Sequence, residues 1–141
     1  MRYAKWIFVL MLILIPAIAA AQMPVTERIA AQVPFTFVVA NHVIPLGECT
    51  IQAADPTGRV LVVRSPNAKV NLFATASPRV ERKAAKAYSL VFHRYGSRYY
   101  LAAVKLENSR VVYWVTPSSF EKEALAQNGP AKEEILLASI R

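Results

Sequence analysis

One stretch, YSLVFHRY-GS-RYYLAAVKL (residues 88–106), constrains the fold more than any other part of the chain. β-Branched and aromatic residues crowd both sides of Gly96-Ser97, and such residues suit a pleated, half-buried surface. Gly at the first central position supplies the positive φ of a two-residue type II′ turn. That turn sets a register with Tyr95 opposite Arg98, His93 opposite Tyr100 and Phe92 opposite Leu101. With a period of two, Leu90, Phe92, Leu101 and Ala103 share one face, and Val91, His93, Tyr100, Ala102 and Val104 the other. Both faces are rich in apolar side chains, so closure of the sheet or a packed helix has to hide the second.

The flanking sequence has the same texture. VPFTFVVA (33–40) reads as a strand with Phe35, Phe37 and Val39 on one side and Pro34 at its start or edge, where a missing N–H does no harm. NHVIPLG (41–47) reads as a turn-bearing connection. ECTIQAA (48–54) alternates, with Cys49, Ile51 and Ala53 together. DPTG (55–58) is a β-turn signal, followed by strands over 59–65 and 69–76. Residues 77–87 lose the alternation and read as a charged loop. VVYWVT (111–116) extends the meander. Ser118 and Glu121 then form a capping-box pattern, predicting a helix over 119–127 that Asn128-Gly129-Pro130 stops. EILLASI (134–140) reads as a closing strand. The sum is an all-β, mainly antiparallel domain, a small barrel or sandwich of six to seven strands with one short helix near the C-terminus.

The first 21 residues have the parts of a cleavable secretory signal peptide. Arg2 and Lys5 precede an apolar run from Trp6, and Ala19-Ala20-Ala21 supplies small residues before Gln22. The stretch from Trp6 to Ala21 is shorter than the ~20 residues of a membrane span, so cleavage after Ala21 would leave no stable span and a secreted or periplasmic product. Residues 22–32 read as a flexible arm, and 33–141 as a single β-rich domain. The leader carries two of the 17 basic residues and none of the nine acidic ones, so the formal charge of +8 falls to +6 on cleavage. With one cysteine there is no intrachain disulfide.

Two stretches carry a resemblance. VPFTFVVAN (33–41) running into PLGEC (45–49), and FHRYGSRYYL (92–101), resemble a group of small secreted proteins of environmental bacteria that read VPFxFxxGN…LPAGEY and FHRYGxRYFL. The similarity spans most of 33–125. It implies a secreted β-rich module and assigns no activity. Ala40 stands where that group has Gly, and Cys49 where it has Tyr, which marks position 49 as a packing site.

Candidate binding residues fall in two groups. Arg79, Arg82, Lys83 and Lys86 crowd one segment, opposed only by Glu81. His93, Arg94, Tyr95, Arg98 and Tyr100 form a polar and aromatic hairpin tip. Arg suits carboxylate or phosphate, and Tyr suits stacking on sugars or bases. The competing reading is structural: a solvated loop, and cross-strand pairs that pin register. Cys49 with His42 or His93 is the only conceivable nucleophile and base, and the Ile51/Ala53 side of its strand argues for a buried, inert thiol. Metal-ligand spacing, phosphate-cradling Gly loops, GxSxG and HExxH are absent from the sequence, so no cofactor is expected.

The residues therefore point to a secreted or periplasmic, non-enzymatic module that binds an anionic envelope component or polysaccharide through its basic loop, with no nucleic-acid-binding motif. A carrier of a small apolar ligand inside a barrel is the alternative, and a hydrolase using Cys49 a distant third.

Overall fold

The computed structural model describes residues 27–140, so the expected signal peptide and the first part of the arm lie outside the described residues. Eleven strands and one helix follow in chain order: β1 (Arg28–Val33), β2 (Phe37–Val39), β3 (His42–Ile44), β4 (Gly47–Ala53), β5 (Val60–Ser65), β6 (Val70–Val80), β7 (Ser89–Tyr95), β8 (Arg98–Lys105), β9 (Val111–Val115), α1 (Ser119–Asn128), β10 (Lys132–Leu137) and β11 (Ser139–Ile140). The all-β character and the single helix after β9 match the sequence pattern.

The strands join in the order β10-β7-β8-β9-β6-β5-β4-β1-β11, with β2 added to β8 and β3 to β2. Pairings between strands are antiparallel except β2 on β8, which runs parallel through Phe37–Tyr99 and Val38–Tyr100. This is one mixed sheet of eleven strands that does not close into a barrel, where a mainly antiparallel set of six to seven strands was predicted. The reason is local. β10 and β11 are one run of chain with Ala138 between them; β10 follows β7 for six residue pairs, while β11 meets β1 at only two. Beyond Ala30 the two edges part, leaving an opening of about 460 Å³ beside Ala31, Gln32, Leu137 and Ala138.

Three segments depart from the pattern read in the sequence. Arg28–Gln32, assigned to the flexible arm, belongs to β1, which pairs with β4 along its length and buries Ile29, Ala31 and Val33. Small and polar residues between those three weaken the strand signal. The strand predicted over 33–40 is broken, because the chain bends at 34–36 before β2. Residues 77–80, assigned to a charged loop, continue β6, whose first half pairs with β5 and second half with β9. The Thr116 N–H donates to Thr75 O, and the Glu81 N–H to Arg110 O. By alternation the Pro78 nitrogen faces the side that β5 does not reach, where no N–H is needed.

The hairpin β7–β8 keeps its predicted register from Tyr95–Arg98 to Phe92–Leu101. Val91 then pairs with Ala103, so Ala102 is an extra residue, a β-bulge on β8. The bulge exchanges the faces of the two residues after it. Val104 joins Leu90, Phe92 and Leu101 in the main core, and Ala103 joins Val91, Ala102 and Val112 outside it. On the inner face Phe92 meets Phe35 and Phe37 edge-on at 4.9 and 5.2 Å, and Phe35 stacks on Tyr99 at 3.8 Å. Buried side chains of this size contribute about 1.5–3 kcal/mol each. The space left between Ile51, Leu61, Val104 and Tyr113 is about 40 Å³. At the same end Gly58 has φ +69° beneath the Tyr113 ring, which a methyl group there would overlap.

The turn between β2 and β3 places Ala40 and Asn41 at φ 49° and 60°, the pair of positive angles of a type I′ turn. Asn accepts this conformation readily, whereas Ala pays for it through its Cβ. Ala40→Gly is therefore expected to stabilise the fold by about 0.5–1 kcal/mol after its larger unfolded-state entropy is counted. This would be read as a higher urea midpoint at unchanged slope; a lower midpoint would contradict the strained turn.

Candidate binding groove

The outer face of β6–β9–β8–β7–β10 carries its own apolar patch of Val91, Ala102, Ala103 and Val112, with Trp114 packed against it. Tyr113 and Val115 point into the core, so alternation turns Trp114 outward. Helix α1 covers only one end of this face. Its Ala124 packs with Tyr95 and Tyr100, whose rings meet edge-on at 5.6 Å. The Tyr100 hydroxyl reaches the Phe120 carbonyl at 3.4 Å. From the other side Asn41 grips the helix start: its Oδ1 accepts from the Phe120 N–H at 3.2 Å and its Nδ2 donates to Ser119 Oγ at 2.9 Å.

The capping box forms by half. Ser118 Oγ accepts from the Glu121 N–H at 3.3 Å. The Glu121 side chain, which the pattern predicted would turn back to the helix start, points across to β7 instead. Its Oε1 faces His93 Nδ1 at 3.4 Å, and Glu121 is only 5% exposed. Burial pushes its carboxyl above the usual range, against the lowering pull of His93 and Tyr95. Burial, helped by the nearby Glu121, also raises the Tyr95 phenol. Desolvation outweighs attraction here, as is common when a charged pair leaves water.

Two hollows flank Trp114. One, of about 180 Å³, lies towards α1 between Arg79, His93, Pro117 and Glu121. The other, of about 520 Å³, lies between Arg82 and Lys83 of the 81–87 loop, Lys105 of β8 and Glu133 of β10. The loop is fixed to the 106–110 turn: Glu81 N–H donates to Arg110 O at 2.7 Å, and Asn108 N–H to Ala85 O at 2.8 Å. Its cations are thus held beside the indole, while their ends stay exposed.

The residues singled out in the sequence divide accordingly. Arg79, Arg82, Lys83 and His93 come together around Trp114. Lys86 is exposed and takes no part in either hollow. Arg94 lies on the opposite face from His93, over the Tyr99 ring at 5.7 Å, and bonds Gly96 O at 2.8 Å. Arg98 sits exposed at the hairpin end, and Tyr95 and Tyr100 are buried under α1, so the hairpin tip is not one surface. Sequence reasoning missed Trp114, Lys105 and Glu121. Trp114 was hidden in an apolar strand, and Glu121 in a pattern that explains a Glu by capping alone.

Cys49 is 1% exposed in the main core, and burial pushes its thiol up to about 12. His42 is engaged in its own turn, with Nδ1 2.8 Å from Ala40 O, and His93 lies on the outer face of the sheet. The thiol keeps its proton at neutral pH and has neither imidazole as a base.

A carboxyl raised in the folded state favours folding when protonated. That contribution is complete below its ordinary value of 4.5 and is lost as pH rises through the raised one. Glu121→Gln should therefore raise the melting temperature at pH 7, and the gain should shrink towards zero as pH falls below 4.5. Paired thermal melts across this range check it; a variant that is less stable at pH 7 would contradict the desolvated carboxylate. No family model, curated protein or solved structure matches the chain, which leaves the groove's own residues as the guide to its function.

Proposed function

We propose that the chain is a secreted or periplasmic, non-enzymatic binding module whose Trp114 groove takes an acidic polysaccharide of the cell envelope. The observation that carries this reading is the outward indole set between two hollows with mixed polar rims. A flat aromatic face offers contact area at low entropic cost. Arg79, Arg82, Lys83 and Lys105 supply donors for ring carboxylates, while Glu81, Glu121 and Glu133 supply acceptors. Sugar hydroxyls both donate and accept, so they use both kinds of partner. A polyphosphate or nucleic acid would meet the three carboxylates as like charges. The signal-like leader, the basic loop and the resemblance to small secreted proteins agree with an envelope setting. Transport of an apolar ligand finds less support, because the interior space of about 40 Å³ is far below the ~300 Å³ of a small-molecule site.

The sequence has two Trp, Trp6 and Trp114. In a chain starting at Gln22 the fluorescence of Trp114 reports the groove alone. Titration with polygalacturonate should shift its emission, with affinity falling as salt rises. Trp114→Ala, followed by calorimetry, should weaken binding at least about tenfold. Arg82→Glu/Lys83→Glu should weaken binding and flatten its salt dependence. An unchanged emission, or full affinity in both variants, would remove the proposal.

A further inference from the structure

We infer that Lys105 is the specificity-determining cation of the groove, its ammonium binding the carboxylate of the uronate ring that stacks on Trp114. The inference rests on the polysaccharide reading above and narrows it to chains with free carboxylates, excluding esterified and neutral ones. β8 is apolar from Leu101 to Val104 and then places Lys105 on its outer face, between Ser89 of β7 and Val112 of β9. Ser89 and Val112 are both buried, and lysine is depleted in strands. Lys105 lines the hollow of about 520 Å³ together with Trp114. Ala103 pairs with Trp114 and Lys105 with Val112, so Lys105 and the indole are diagonal neighbours, about 7–8 Å apart along the sheet. A sugar ring lying on the indole therefore brings its exocyclic carboxylate within reach of the flexible four-carbon stem.

Exposure separates this cation from the others. Arg79, Arg82 and Lys83 are exposed, whereas Lys105 is half-buried. Among the described residues Lys105 takes part in no ion pair or hydrogen bond, although Glu81 and Glu133 line the same hollow. Its charge is thus partly withdrawn from water and left without a protein anion. Exposed cations are screened by salt and act mainly on encounter, while a less solvated one gains more from a ligand's charge. A methyl-esterified ring in the same place would keep the stacking and bring no charge to the ammonium. The hollow then reads two properties of one ring, its face through Trp114 and its charge through Lys105.

The test uses the chain from Gln22, calorimetry, and two probes, tetragalacturonate and its fully methyl-esterified form. The wild type should bind the free acid at least about tenfold more tightly than the ester. Lys105→Met keeps the apolar stem and removes the charge. It should raise the Kd for the free acid at least about tenfold and leave that for the ester within about twofold. Lys83→Met removes an equal charge at an exposed position and should cost less than about threefold. Equal losses in the two variants, equal binding of acid and ester by the wild type, or a Lys105→Met affinity near that of the wild type would each overturn the role of Lys105; loss of binding in Trp114→Ala would then keep the groove reading standing. Absence of tetragalacturonate binding by the wild type would overturn both. If Lys105→Met fails to fold, the Lys105 ε-carbon resonance of the wild type decides: it should move with the free acid and not with the ester, and a fixed resonance would overturn the inference.

Discussion

The structure turns on a sheet that is apolar on both faces. Strands β7, β8 and β9 send Leu90, Phe92, Leu101, Val104 and Tyr113 into the main core, and Val91, Ala102, Ala103 and Val112 to the other side. The bulge at Ala102 makes this possible, since it lets β8 supply Ala103 outward and Val104 inward from adjoining positions. Water has to be kept from the outer patch as well. α1 is ten residues long, and with Glu121 and Ala124 as its buried residues it shields one end. The other end is left to Trp114, the long side chains of Arg79 and Lys105, and the pinned 81–87 loop. The patch itself is buried beneath these groups, and the partly buried Trp114 is what reaches the surface beside a charged rim.

The cost of burying a charged group is concentrated at Glu121. On this short helix the Glu121 carboxyl is buried against β7, where His93 and Tyr95 face it. His93 and Tyr95 lower its carboxyl, and burial raises it by more. The strained Ala40 has a more modest explanation, for its turn presents Asn41 to the helix start and thereby sets where α1 lies over the sheet.

Much of the fold was legible because tight turns announce themselves. Gly96-Ser97 and Asp55-Pro56-Thr57-Gly58 both form turns, the latter closed by the Gly58 N–H donating to Asp55 Oδ1 at 3.0 Å. Gly129 ends α1 by donating to Leu125 O at 2.9 Å. What escaped notice depends on contacts distant in sequence. β1 exists because β4 offers it an edge, not because Arg28–Val33 favours extended structure. The continuation of β6 past Pro78 depends on β9, and the parallel seat of β2 on β8 on a bend that no turn motif marks. The basic residues of the groove were visible as a cluster, but their centre was not. Only the three-dimensional register shows that Trp114, Arg79 and Glu121 face the same hollow.

The central claim is that the outer sheet face presents one partly buried indole within a cationic rim. Its most direct test is quenching of Trp114 fluorescence by ions of opposite charge, in a chain starting at Gln22 and at low ionic strength. The local potential should draw in the anion, so iodide should quench with a larger Stern–Volmer constant than caesium, and added salt should narrow the difference. An indole shielded from both ions, or quenched more by caesium, would contradict the groove.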